Sequence, residues 1–364
     1  MDHRHEWEAA GIYDPAAADA AERLDLLEWL AEQGIGTDEM VDACARGQLN
    51  ALAGDRKLRP GRRMTVHEIA AEVGLPYDMV IAVHRSTGMP PSADHEAVYT
   101  DADVQLFQLF ALASQVFSAA ELGHFTRVVG NSMRRIAEAA GEMFLRDVEA
   151  PIYETRGGTP LEMAKANLAG IELAHMASGI FDPLFRSHLE MAVRTVRRAR
   201  EGQSDYSTVP LAIGFVDLSG FTSRSASMSP SELLELVMLF EATSIDLVAE
   251  HGGRLVKLIG DEVMFSTVEP AEACAIATGL VRHAAQLAGG GRAGVAHGHV
   301  IASGGDVYGE IVNLAARIVD VAVPGEILVN DAVVRRADGL RFDPAGRRQL
   351  KGFAEPVRLW SLEP

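Results

Sequence analysis

Three short segments hold residue types that could do chemistry together. Phe215-Val216-Asp217-Leu218-Ser219-Gly220-Phe221-Thr222 puts a carboxylate at the end of an apolar run and follows it with a tight, small-residue turn. Lys257-Leu258-Ile259-Gly260-Asp261 puts a second carboxylate at the turn of a hairpin. Two aspartates on adjacent strand ends, beside a loop with free backbone N–H groups, suit two divalent cations and a polyphosphate. The third segment runs from Asp306 through Asn313 to Arg317 and adds an acid, an amide and a guanidinium. Asn313 and Arg317 lie four residues apart, so on a helix both point the same way. A strand-end aspartate standing alone is usually a turn or cap residue. It is the three segments in this order that carry the chemical reading.

The elements that must position these residues are legible in the pattern. Residues 209–216 form an apolar strand. Ser229-Pro230-Ser231-Glu232 is a capping box with proline at the first helical position, and it starts a helix running to about His251. Residues 254–259 and 262–268 pair as a hairpin around Gly260-Asp261; a helix then covers 270–288 and a strand 292–303. Strand-helix-strand-strand-helix-strand is the split βαβ, or ferredoxin-like, arrangement. A third helix from about Ile311 carries Asn313 and Arg317.

Residues 1–200 read differently, as helices over 16–33, 104–118, 121–147, 160–176 and 183–200, from apolar residues at three-to-four spacing. The expected division is therefore an all-helical domain over 1–200, a linker over 201–208 and an α+β domain over 209–364. The basic end of the last helix, with Arg194, Arg197, Arg198 and Arg200, suits a helix C-terminus.

Composition narrows the partners. The 364 residues carry a formal net charge of −18, with 48% hydrophobic and 23% charged residues, ordinary for a globular chain. That overall field does not steer the chain to nucleic acid or to an anionic membrane. No apolar run reaches about 18 residues and the start lacks a secretory h-region, so a cytoplasmic protein without a membrane span is expected. Cys44 and Cys274 are too few and too far apart for a disulfide framework or zinc site. Only Lys57, Lys165, Lys257 and Lys351 occur among 33 basic residues, and two of the four fall in the motifs.

The ordered motifs over 207–364 resemble the class III nucleotidyl cyclase catalytic domain. The resemblance implies an adenylyl cyclase that converts ATP to 3′,5′-cyclic AMP and pyrophosphate. It makes Asp217 and Asp261 the ligands of two divalent cations, Mg²⁺ or Mn²⁺. Leu218, Ser219, Gly220, Phe221 and Thr222 would cradle phosphates, Lys351 would contact the triphosphate, Asn313 would orient the ribose and Arg317 would stabilise the pentacovalent phosphorus. Lys257 and Asp306 match the base-reading positions. A donating lysine and an accepting aspartate complement adenine N1 and its 6-amino group, and guanine would leave Lys257 facing a proton. The resemblance further implies a homodimer with composite sites, metal aspartates from one chain and base-reading, asparagine and arginine residues from the other. The rival reading is a non-catalytic nucleotide sensor or DNA-binding regulator that keeps the fold.

The helical half is similar, less specifically, to the regulatory domain of soluble actinobacterial adenylyl cyclases, some of them acid-responsive. That implies restraint of catalysis through the helix over 185–200 and the linker. Histidine titrates near neutral pH, and His175 and His188, nearest the junction, are the candidate pH sensors; a lipid-like regulator is the other expectation. Residues 64–76 also read as the start of a helix-turn-helix, but 77–84 make an apolar, poor groove reader, so nucleic acid is disfavoured.

Overall fold

The computed structural model of the chain describes residues 3–154, 158–201 and 207–363, the side chains of 222, 223 and 288 excepted. It divides into two compact units, Met1–Arg186 and Ser187–Pro364.

The first unit is helical: α1 (Arg4–Ala9), α2 (Ala20–Glu32), α3 (Thr37–Ala45), α4 (Leu52–Leu58), α5 (Val66–Val73), α6 (Tyr77–Ser86), α7 (Asp101–Ala113), α8 (Ala119–Phe144), α9 (Ala150–Glu154) and α10 (Pro160–Ala177). Helix α11 (Phe181–Ala199) starts here and runs into the second unit. One core gathers Trp7, Leu26, Leu27, Leu30 and Met40 with Ala164 of α10. Another gathers Met64, Ile69, Val80, Val83, Tyr99 and Phe107.

Local chemistry moves several helix ends from their expected places. Asp14 accepts from the Ala16 N–H, a turn that delays α2 to Ala20. Thr100 and Asp103 form a capping box that starts α7 at Asp101. Helix α8 gives way at Leu145–Glu149 to a π-helical turn. Pro151 follows, and its ring clashes with the carbonyl four residues back. Most of the expected linker, 202–206, lies outside the described residues.

The second unit is built on β1 (Val209–Leu218), α12 (Phe221–Ser225), α13 (Pro230–Glu250), β2 (Arg254–Ile259), β3 (Glu262–Thr267), α14 (Pro270–Ala288), β4 (Gly291–Ser303) and β5 (Asp306–Tyr308). It continues with α15 (Glu310–Val321), β6 (Ile327–Asn330), α16 (Asp331–Val334), β7 (Phe342–Arg348) and β8 (Val357–Leu362). The sheet runs β2-β3-β1-β4-β6-β8-β7, with β5 paired to β4. Its first four strands are the antiparallel ferredoxin-like set in the order expected. The strands from β6 onward extend that set, with β6 joining β4 in parallel.

Alternation along β1 sorts the two faces. Ala212, Val216 and Leu218 enter the core that also holds Phe240, Ala277 and Leu280 of α13 and α14. Leu211, Ile213 and Phe215 enter the core shared with Ala315, Ile318 and Val319 of α15. Gly294 of β4 lets α15 settle directly on the sheet, since a Cβ there would fall 2.4 Å from the Val319 backbone nitrogen.

Candidate active site

Asp217 belongs to the odd-numbered face of β1, where the apolar run toward α15 ends. Its cross-strand partner on β3 is Glu262, and its partner on β4 is Arg292. Leu218 N–H donates to the Asp261 carbonyl at 3.2 Å, fastening the strand end to the hairpin turn. Gly260, at φ 65°, supplies the left-handed turn that places Asp261 there. Arg292 donates from Nε and Nη2 to Asp217 Oδ2 at 2.8 and 2.7 Å. Burial raises the Asp261 carboxyl above its ordinary range, and a hydrogen bond and charge repulsion from Asp217 add to that. Two carboxylates that repel each other across a turn are the donor chemistry of a hard cation.

Among the described residues no cluster of three or more His, Cys, Asp or Glu ligands forms. Two carboxylates alone still fit magnesium, which commonly takes one or two from the protein and the rest from water and substrate phosphates.

Lys257, on the edge strand β2, reaches the β4–β5 turn, where its Nζ donates to Asp306 Oδ2 at 2.6 Å. Arg254 donates to the Gly305 carbonyl beside it. Burial pushes the Asp306 carboxyl up, but bonds from Lys257 and the Val307 N–H, with the charges of Lys257 and Arg254, outweigh it and hold the group below its usual value. The structure thus brings together the two side chains that the sequence assigned to the base.

Asn313 and Arg317 stand one turn apart on α15, Asn313 exposed and Arg317 half-buried. Arg317 Nη1 donates to Asp320 Oδ2 at 2.8 Å. In the loop after β1, the Leu218 and Ser219 N–H groups are engaged by the Asp261 and Gly290 carbonyls, so they are not the free donors expected. The Thr222 side chain lies outside the described residues. Lys351 is exposed on the β7–β8 connection, anchored by buried Leu350, at the sheet edge opposite β2. His175 is exposed with a ring nitrogen 3.4 Å from the Leu58 carbonyl, and His188 is exposed on α11.

Sequence reasoning missed three charged groups at this site. Arg292 opens an otherwise apolar strand, Gly291-Arg292-Ala293-Gly294-Val295, and that isolated charge was the available signal. Asp320 follows Arg317 at the spacing of a helical ion pair. Glu262 adjoins Asp261; burial pushes its carboxyl up to about 7, with help from Asp217, Asp320 and Asp261 and opposed by Arg292. A cavity of about 580 Å³ in this unit lies elsewhere, lined by His251, Arg282 and Glu363 among others.

Comparison with known proteins agrees with both halves. Residues 8–196 match the adenylate cyclase regulatory domain and 204–364 the adenylate and guanylate cyclase catalytic domain. An uncharacterized protein of Mycobacterium tuberculosis, Rv2212, is 38% identical over 98% of this chain and 93% of its own length. An adenylate cyclase of Glutamicibacter nicotianae is 32% identical over 90% of this chain and 84% of its own. The pH-sensitive adenylate cyclase MT1302 of M. tuberculosis is 30% identical over 94% and 88%. The Asp217 and Asp261 carboxylates, the Lys257–Asp306 pair and the α15 residues thus sit on a chain whose matches span both its units: it belongs to the class III nucleotidyl cyclases, with an adenylate cyclase regulatory domain ahead of the catalytic one.

Proposed function

We propose that the protein is an adenylyl cyclase, converting ATP to 3′,5′-cyclic AMP and pyrophosphate in composite sites of a homodimer. The observation that carries the choice of base is the Lys257–Asp306 pair at 2.6 Å. A donor and an acceptor held side by side match the adjoining N1 and 6-amino group of adenine. The relatives named adenylate cyclase support the same choice.

Asp217 and Asp261 would hold two divalent cations, Mg²⁺ or Mn²⁺. Bound there, such ions acidify the ribose 3′-hydroxyl and neutralise the leaving pyrophosphate. Asn313 of the opposing chain orients the ribose, and Arg317 offers its planar guanidinium to charge building on the α-phosphate. Lys351 and the backbone from Gly220 to Thr222 face the triphosphate. Arg292 stays on Asp217, fixing where that carboxylate points. No further side chain is needed as general base, because the proton leaves to water or to Asp217.

Residues 1–200 form the regulatory part, 201–208 the linker and 209–364 the catalytic part of a cytoplasmic enzyme. No helix among the described residues is long and apolar enough to cross a membrane. The pH-sensitive relative supports proton control, with His175 and His188 next to the junction in sequence. A lipid-like ligand of the helical part is the competing regulator.

The test is direct. Purified dimer with Mn²⁺–ATP or Mg²⁺–ATP should release cyclic AMP and pyrophosphate in equal amounts, with GTP a poor substrate. No cyclic AMP above background from folded dimer, or cyclic GMP as the main product, would overturn the reading.

A further inference from the structure

Arg254 and Lys257 stand three residues apart on β2, a spacing that in a regular strand points two side chains to opposite faces. The register says otherwise. Arg254 lies opposite Ser266 of β3, Leu255 opposite Phe265 and Lys257 opposite Met264, so Val256 is an extra residue, a β-bulge. Ser266 and Met264 are two apart on β3 and share a face, so Arg254 and Lys257 share one as well. The packing agrees. Leu255 and Leu258 join the core that holds α13 and α14, while Val256 and Met264 join the one shared with α15. Bulges re-aim side chains in this way and gather beside functional sites.

What the two basic side chains reach is the turn after β4. Strands β3 and β1 separate β2 from β4 in the sheet, a distance of about 14 Å at 4.7–4.9 Å per step. The β4–β5 turn is nevertheless held from β2, by Lys257 Nζ at Asp306 Oδ2, 2.6 Å, and by Arg254 Nη1 at the Gly305 carbonyl, 3.1 Å. Ser303 pairs with Asp306, and Gly304 and Gly305 between them have φ of 61° and 80°, the left-handed pair of a tight hairpin. Buried Val307 anchors β5 behind the turn, but no packing steadies its tip: a Cβ built on Gly305 would meet nothing within 4 Å. Among the described residues no ion pair joins Arg254 to Asp306 directly. The guanidinium grips backbone and leaves the carboxylate to Lys257, to the Val307 N–H and to a ligand. Burial pushes the Asp306 carboxyl up, and the Arg254 charge is among those that bring it below its usual value.

We infer that Arg254 is a positioning residue for base recognition: by bonding the Gly305 carbonyl it fixes the β4–β5 turn, and with it Asp306, where Lys257 and Asp306 together meet one nucleobase edge. The inference rests on the base-reading role proposed above for those two residues, and it adds the side chain and the bulge that set their spacing. Lys257 sits on a paired strand, whereas Asp306 follows two glycines, whose backbone has many alternatives. A planar guanidinium on the carbonyl restricts them. A donor and an acceptor select adenine only while both hold their places, because a displaced acceptor leaves the 6-amino group unsatisfied. Loss of Arg254 should therefore fall on adenine nucleotides and spare guanine ones. A general loss of structure would strike both.

The test uses the full-length chain with Mn²⁺ and two probes that cannot cyclise, 3′-deoxy-ATP and 3′-deoxy-GTP, with binding read by calorimetry. Arg254→Met keeps the stem and removes the guanidinium. Its dissociation constant for 3′-deoxy-ATP should rise about tenfold or more, while that for 3′-deoxy-GTP stays within about twofold of wild type. Arg254→Lys, which restores a cation and a donor without the planar fork, should fall between wild type and the methionine variant. With ATP as substrate the loss should appear in KM more than in kcat. Unchanged 3′-deoxy-ATP binding in every folded variant, equal weakening of the two probes, or a lysine variant no better than methionine would overturn the inference. Cyclic AMP formation is read separately. A wild type that binds 3′-deoxy-ATP in an Arg254-dependent way but makes no cyclic AMP keeps this inference and removes the cyclase reading. Cyclic AMP formation with a KM indifferent to residue 254 does the reverse, and a wild type with neither binding nor product overturns both.

Discussion

Glu262 should make the protein less stable as the solution becomes more alkaline, and Glu262→Gln should remove that dependence. Its carboxyl lies at about 7 rather than the ordinary 4.5, chiefly through burial and then through Asp217, Asp320 and Asp261. A group whose pKa is raised by folding contributes stability that is full below its unfolded value and is lost as pH rises through its folded value. The window is therefore about pH 4.5 to 7, a gap of about 2.5 on the pH scale, or about 3.4 kcal/mol at 1.36 kcal/mol per unit. Glu262 is only partly buried, and solvent screening reduces this to about 1–2 kcal/mol. The amide carries no charge at any pH. Calorimetry in chelator-treated buffer should show wild type and variant melting within about a degree of each other at pH 4.5, and the variant higher at pH 8 by about 2–8 °C. Adding Mn²⁺ should shrink the difference, because cations on Asp217 and Asp261 oppose their repulsion of Glu262. An advantage of equal size at both pH values, or a variant less stable at pH 8, would refute the reasoning.

Four further outcomes are expected. Asp217→Ala and Arg317→Ala chains, each inactive by orders of magnitude, should regain cyclic AMP synthesis when mixed, because each heterodimer holds one intact and one doubly damaged site; verified heterodimers without activity would refute the composite site. Lys257→Ala should lower kcat/KM for ATP by about a hundredfold or more by stranding Asp306 and the base, measured against GTP as control. Gly294→Ala should cost about 1–3 kcal/mol in urea unfolding, since its Cβ would press on the Val319 backbone. A chain beginning at Ser204 should differ several-fold in rate from full length, upward, and lose part of its pH profile; identical rates and profiles from two dimeric proteins would leave the helical half without a regulatory role.

What the sequence disclosed, and what it hid, follow from the range of the forces involved. The β1–β4 core and its helices were legible because alternation, the Ser229 capping box and the Gly260 turn are local signals, and each reappears in the structure. The strands after α15 were not foreseen. Residues such as Asp343, Pro344 and Gly346 in β7 lack alternation, and it is pairing with β8 that makes them a strand. Helix ends shifted where one side chain, Asp14 or Asp103, captured a backbone N–H. At the site, residues inside a motif were found. Arg292 was not, because its role depends on register with Asp217 across two strands that are 75 residues apart.

Two of the three ion pairs at the site share an energetic character that bears on how it works. Lys257–Asp306 and Arg317–Asp320 both remain substantially open to water, with 42% and 41% of the basic side chains exposed. Exposed pairs are worth roughly 0–1 kcal/mol. Such a pair holds a long cation in one rotamer, yet yields readily to a better partner. A base edge offering both an acceptor and a donor can insert between Lys257 and Asp306 without leaving either unsatisfied. A phosphate, bidentate to a guanidinium, outcompetes the single Nη1 bond from Arg317 to Asp320. Arg292 and Asp217 differ: two bonds under 3 Å and only 31% and 19% exposure make that pair the firm one. On the proposed reading, the firm pair therefore sets where Asp217 points toward a metal, and the weak pairs leave Lys257, Asp306 and Arg317 ready for base and phosphate. That division predicts that Asp320→Asn changes KM for ATP by less than about fivefold, while Arg292→Ala lowers kcat by at least about a hundredfold. Steady-state kinetics of the two variants at saturating Mn²⁺ decides it, and a larger loss in Asp320→Asn than in Arg292→Ala would reverse the assignment.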